Sequence, residues 1–234
     1  MKVYIVLAHP EPTSFNHALA HVARQTFETN RHEVRLDDLY AQEFSPIASR
    51  ADFTALENAD RFSLQAEQRA ATKRRHGFVP DIEAAQANLE WCDLLIIQFP
   101  IWWFSAPAIL KGWFDRVLAA GRFYGGGRWF ETAPLFGRRA LVSATTGAAA
   151  DRWGADKLFG DIDTILHGVQ IGTLNFCGFE VLKPHLVLGP GGLTDEQRVD
   201  VLDTWRERLL GLEQEEPLLF RRAGDFADPA YRGK

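Results

Sequence analysis

The sequence predicts an α/β fold: a five-stranded parallel sheet with helices on both faces. Three observations carry that reading. Apolar, β-branched runs recur without polar alternation, as in Lys2–Ala8 (KVYIVLA) and Leu94–Phe99 (LLIIQF). Strands of that kind are covered on both faces. Stretches of helical periodicity separate them, and parallel strands need such crossovers, which are right-handed.

The elements follow in order. Lys2–Ala8 is the first strand. Asn16–Asn30 is a helix with Ala18, Val22 and Phe27 among its apolar positions, and Ser14 and Asn16 are both candidate caps. Glu33–Asp37 is a short second strand. Ala41–Pro80 is a polar excursion with helical character over Phe62–Arg75. Pro80 then opens a helix to Glu90. Leu94–Phe99 is the third strand. In Ala108–Leu118 two apolar rows repeat at i, i+4, i+8: Ile109, Trp113, Val117 and Leu110, Phe114, Leu118. Residues 119–138 form a loop holding Gly125-Gly126-Gly127. Ala140–Ala144 is the fourth strand, Ile162–Phe176 a helix, Glu180–Leu188 the fifth strand, and Thr194–Leu209 a helix capped by Thr194. Residues 1–220 read as one domain, and 221–234 as a short polar tail. Five strands favour the flavodoxin-like order 2-1-3-4-5, in which ligands bind beyond the carboxyl ends of the strands where the order reverses.

Composition narrows the function. The net charge of −5 gives no general attraction to nucleic acid or anionic lipid. Lys73-Arg74-Arg75-His76 reads as a solvated helix end. The most apolar stretch, Leu94–Phe104, is too short to span a bilayer. Two cysteines, Cys92 and Cys177, sit among apolar residues as small hydrophobes, so a reducing cytoplasm is the expected location. His17 and His21 have metal-capable spacing but no accompanying motif, and an exposed or capping pair is expected there. No metal site is expected.

The topology singles out three loops. His9 to Asn16 (HPEPTSFN) lacks the GxGxxG of a dinucleotide site. It offers His9, hydroxyls, an amide and the free N–H groups of a helix start, which suit a phosphate. Pro100 to Pro107 holds Ile101, Trp102, Trp103 and Phe104. Consecutive residues at a strand end cannot all point inward, so some of these rings are expected to form a flat wall for a flat ligand. Thr145-Thr146-Gly147-Ala148 is small enough for a ligand to lie against its backbone.

The segments LAHPEPTSFN, DLYAQEFSPIASR, QFPIWWFSAPAILKGWFDRV, TTG, NFCGFEVL and EEPLLF resemble those of the NAD(P)H:quinone oxidoreductases of the DT-diaphorase type, from about Val3 to Phe220. The resemblance is weakest over 52–79. It implies a flavodoxin-like homodimer that binds FAD rather than FMN. It also implies ping-pong hydride transfer from NADH or NADPH to a quinone or similar small aromatic acceptor. By resemblance, His9, Thr13, Phe15 and Asn16 fall at the FAD diphosphate. Pro100, Ile101, Trp102, Trp103 and Phe104 fall along the flavin ring and ribityl chain, and Thr145, Thr146, Gly147 and Ala148 at its polar edge. Arg198 and Leu202 fall on the adenine, with Gln65 a further adenine-side contact.

Three departures qualify the resemblance. The family's charge-relaying Tyr and His align with Trp153 and Phe159; Trp can donate one N–H, and Phe can do nothing of the kind. The backbone N–H groups of Thr146, Gly147 and Ala148, with the indole of Trp153 in addition, are then the candidate stabilisers of the reduced ring. Of two tyrosines expected beside the substrate, Tyr124 is kept and Gly126 replaces the other. Only residues 221–234 follow PLLF, where long relatives carry a further domain, which leaves the choice among NADH, NADPH and smaller nicotinamides open. Two other readings compete: a flavin-binding regulator of a transporter, and an azo or nitro reductase using the same mechanism.

Overall fold

The computed structural model of the chain describes residues 1–220, 222 and 224. The elements run β1 (Lys2–Leu7), α1 (Phe15–Thr29), β2 (Glu33–Asp38), α2 (Leu64–Thr72), α3 (Pro80–Trp91), β3 (Leu94–Pro100), α4 (Ala108–Val117) and β4 (Arg139–Thr146). They continue with α5 (Ile162–Val169), β5 (Glu180–Val181), β6 (His185–Leu188) and α6 (Asp195–Gly211). The strands are parallel and ordered β2-β1-β3-β4-β5, with β6 also on β4. The fold class and the strand order are those the sequence predicts. Most of the expected tail, 221–234, lies outside the described residues.

Strand alternation sorts the core into two layers. Val3, Ile5 and Leu7 pack with Leu19, Ala23 and Phe27 of α1 and with Trp205 and Leu209 of α6. Tyr4, Val6 and Ala8 pack with Leu89 of α3, Leu110, Trp113 and Phe114 of α4, and Leu166 of α5. Both faces are covered, so the strands need no polar alternation. Both predicted apolar rows of α4 are buried. Ser14, not Asn16, caps α1 by accepting from the His17 N–H, and Thr194 caps α6 in a reciprocal box with Gln197.

Two elements differ from expectation. The continuous strand expected over Glu180–Leu188 is broken after Val181. Ala140 pairs Val181, but Ser143 pairs His185, so the outer side carries one extra residue. Pro184 lacks the N–H that an unbroken ladder needs there. The extra residue reverses the facing, turning His185 onto Trp205 of α6, with ring centroids 4.1 Å apart. The helix expected over Ile162–Phe176 is α-helical only to Val169 and continues as a π-helix over Gln170–Asn175.

The excursion after β2 is anchored by ions. Arg116 of α4 is buried and reaches Asp52 at 3.1 Å, Asp81 at 3.2 Å and the Ser45 carbonyl at 2.9 Å. Gly112 lets the chain cross α4 here: a Cβ would sit 2.2 Å from the Pro46 carbonyl oxygen. The basic run is not simply solvated, because Arg74 pairs with Glu57 and His76 with Glu83.

Candidate active site

The loops after β1, β3 and β4 converge on one cleft of about 500 Å³ at the carboxyl end of the sheet. β1 and β3 lie side by side there and their crossovers diverge to opposite faces, which opens a crevice. His9, Thr13, Phe15, Asn16, Pro100, Trp102, Thr145, Thr146, Gly147 and Arg198 all line it. Ser14, from the loop singled out for its hydroxyls, lines it as well; Ala18, Pro190 and Gly191 line it too, and the sequence reading did not assign those three to the site. The Gly-Pro-Gly-Gly run at 189–192 was the available signal, marking a tight turn after the last strand.

Beneath the floor runs a buried amide chain. Gln98 Nε2 donates to Asn16 Oδ1 at 2.8 Å, and Asn16 Nδ2 donates to Thr145 Oγ1 at 2.9 Å. It ties all three loops together, so Asn16 is as much a strut as a ligand contact. The Thr13 hydroxyl is engaged by Glu11, at 2.7 Å. The N–H groups of Phe15 and Asn16 open α1 and have no intrahelical partner. His9 Nδ1 accepts from the Glu11 N–H at 3.1 Å. That leaves the other ring nitrogen, Nε2, to carry a proton as donor. Burial lowers the pKa of His9 from its ordinary value, which favours the neutral ring.

The aromatic segment is a tight turn. Trp102 and Ser105 exchange backbone hydrogen bonds, each 3.0 Å. Trp103 and Phe104 at its centre have φ of +50° and +56°. Two-residue turns with both central φ positive normally use Asn, Asp or Gly, and bulky side chains in that region are outliers. Such strain clusters at functional sites. The turn leaves Trp102, Trp103 and Phe104 exposed by 41, 96 and 50%. Ile101 departs from the expected wall, because its side chain belongs to the core.

Other expected residues fall at the edges. Phe104 packs against Trp153 and Phe159, with each of those centroids 5.9 Å away. The two relay-aligned positions therefore do meet at the aromatic turn. Trp153 Nε1 is buried without a protein partner. The Ala148 carbonyl accepts from the Thr146 hydroxyl. Leu202 packs on the core layer of α1 and α6 rather than in the cleft. Tyr124 lies elsewhere, in a second cleft of about 430 Å³ with Gln65, Phe114 and Phe176. Burial raises its pKa.

His17 corrects an expectation. It is neither exposed nor the cap but buried, 3.1 Å from both Asp38 and Ser14. Among the described residues no cluster of His, Cys, Asp and Glu could hold a metal. Cys92 and Cys177 are free and buried, and burial pushes both thiols up to about 12. Among the described residues no helix is long and apolar enough to cross a membrane.

Comparison with known proteins agrees with this geometry. A family model described as a flavodoxin-like fold matches residues 1–209. NAD(P)H dehydrogenase [quinone] 1 of Cavia porcellus is 41% identical over 226 residues, covering 96% of this chain and 82% of its own. Ribosyldihydronicotinamide dehydrogenase [quinone] of Mus musculus is 41% identical over 218 residues, covering 93% and 94%. A crystal structure from Klebsiella pneumoniae assigned as a quinone reductase superposes with a TM-score of 0.93 at 36% identity, over 100% of this chain and 94% of that one. With its three post-strand loops gathered at the sheet's switch point, this chain belongs to the flavodoxin-like family of the NAD(P)H:quinone dehydrogenases.

Proposed function

We propose that this chain is a flavin-dependent oxidoreductase that takes a hydride from a reduced nicotinamide and delivers it to a quinone. The observation that carries this reading is the cleft itself. A strained aromatic turn, a helix N-terminus and a small-residue loop converge within it, each suited to a different part of a flavin nucleotide. The relatives carry the names of enzymes, which favours turnover over a regulatory role.

The residues fit the group. A Cβ at Gly147 would meet no atom within 4 Å, so this position leaves backbone open for a flat ring. A flavin, when bound, supplies the two-electron hydride chemistry. The residues of this chain bind, orient and shield it. Ser14 and the N–H groups of Phe15 and Asn16 hold the phosphates, with the His9 Nε2–H as a further donor. Trp102 walls the ring, and Gly147 with Thr146 presents backbone to its polar edge. Arg198 extends the cleft toward α6, which favours FAD over FMN. The Trp153 N–H is a donor with no competing protein partner, but it cannot release a proton as a Tyr–His pair could.

Tyr124 lies outside this cleft, and we read it as the contribution of a second copy in a homodimer working in the cytoplasm. NADH, NADPH and a smaller nicotinamide are all admissible donors.

Heating the purified protein and identifying the released cofactor by chromatography tests the reading, with FAD expected. Nicotinamide oxidation with menadione as acceptor tests turnover. A colourless protein that takes up no flavin overturns both. Trp153→Tyr combined with Phe159→His should speed flavin reduction in stopped-flow absorbance; an unchanged rate would make the relay irrelevant here.

A further inference from the structure

One hydrogen-bonded chain at the cleft rim is not explained by shape alone. Ser14 Oγ lies 3.1 Å from His17 Nδ1, and His17 Nε2 lies 3.1 Å from Asp38 Oδ2. His17 is 5% exposed, while Ser14 lines the cleft. The chain therefore runs from a half-buried carboxylate at the end of β2, through a buried imidazole on α1, to a hydroxyl facing the ligand space.

The directions of these bonds are constrained. The Asp38 carboxylate only accepts, so the facing Nε2 carries a proton. With a neutral ring, Nδ1 is then an acceptor and takes the Ser14 hydroxyl proton. Ser14 Oγ also accepts from the His17 backbone N–H at 3.3 Å. What remains toward the cleft is a lone pair, which repels an anion. One added proton reverses this. Nδ1–H then donates to Oγ, and the hydroxyl proton is free to point outward. Every donor and acceptor of the chain is satisfied in that arrangement, and the rim donates to an anionic oxygen.

We infer that His17 is a positioning residue that couples binding of a phosphate ester in the cleft to uptake of one proton, through the orientation of the Ser14 hydroxyl. The inference rests on the flavin-nucleotide reading above. The proton comes from the buffer and goes to Nδ1; no other bond is made or broken. The ionisable groups that face His17 are Asp38 from β2, His9 and Glu11 from the loop after β1, and His21 one turn along α1. The His9 and His21 ring centroids lie 6.3 and 6.4 Å from that of His17, too far for direct ring hydrogen bonds. Asp38 is the group that stabilises the added charge.

Calorimetric titration of the cofactor-stripped 234-residue chain with FAD, in two buffers of different ionisation enthalpy, counts the protons taken up. The wild type should take up protons as FAD binds. Its FAD dissociation constant should rise up to about tenfold per pH unit as pH increases. Riboflavin, which has no phosphate, should bind without uptake. His17→Gln and Asp38→Asn should each diminish or abolish the uptake while still binding riboflavin, which verifies their fold. His9→Gln should keep the uptake. Proton-independent FAD binding by the wild type overturns the inference. So does uptake unchanged in both His17→Gln and Asp38→Asn, or uptake lost in His9→Gln instead. A chain that binds neither FAD nor riboflavin refutes the flavin reading itself, a distinguishable failure.

Discussion

Two aromatic segments lie within a dozen residues of each other and behave oppositely. Trp113 and Phe114 on α4 are buried in the core between the sheet and its helices. Trp102, Trp103 and Phe104 in the turn before α4 are exposed. Residue type does not distinguish the two groups; backbone does. The helix returns every third or fourth side chain to the sheet, whereas two positive φ values in succession throw the turn's rings outward. The same contrast recurs in two His–Trp pairs. His185 stacks on fully buried Trp205, whose indole donates to the Leu19 carbonyl. His9 tilts against half-exposed Trp102 at 6.0 Å. Interior rings hold the fold together, and rim rings are kept at a cost in strain for something else to use.

The largest effect should come from the interior. Trp113→Ala should cost about 3–5 kcal/mol, lowering Tm by roughly 10 °C in a chain of this size. Trp113→Phe should cost far less, because the indole N–H has no partner to lose. If the two variants melt alike, α4 is not the anchor described here.

The interior His–Trp pair should be next. Burial pushes His185 down from 6.5 to about 4, with Arg208 adding to the effect. The unfolded chain therefore binds a proton between these values that the folded chain refuses, so stability rises with pH across that window. Acidification from pH 7 to 4 should remove about 3 kcal/mol through this residue, and His185→Leu should abolish that component in denaturant titrations. The rim histidine, His9, should contribute much less.

At the rim, Gly147→Val should leave Tm nearly unchanged, since the added side chain meets no protein atom near its Cβ. It should weaken flavin binding roughly ten- to hundredfold, the equivalent of overpacking by about 1–3 kcal/mol. Equal losses of stability and affinity would mean that the open space belongs to the protein. The smallest effect should be Trp103→Gly. Relief of the left-handed backbone, less the entropy of glycine, gives a net gain of roughly 0.5–1 kcal/mol. Thermal melts should rise slightly while flavin affinity falls.

Much of this was legible before any coordinates. The unalternated runs at Lys2–Ala8 and Leu94–Phe99 implied a sheet covered on both faces, and the double row of α4 implied its burial. The three loops were found by topology alone, because strand order dictates where crossovers diverge. What escaped was non-local. Pro190 and Gly191 enter the cleft through the packing of distant segments. Ile101 turns inward although its neighbours turn out. The break at Pro184 shifts a register by one residue and so decides that His185 meets Trp205.

The sequence by itself determined the layer order, the cap at Thr194, and the three loops available to the cleft, because periodicity and capping act over a few residues. Only the tertiary structure decided that Gln98, Asn16 and Thr145 share one buried chain of hydrogen bonds, and that Asp38, His17 and Ser14 share another. Those partners lie as many as 129 residues apart. Hydrogen-bond direction depends on distance and orientation, which no local pattern encodes.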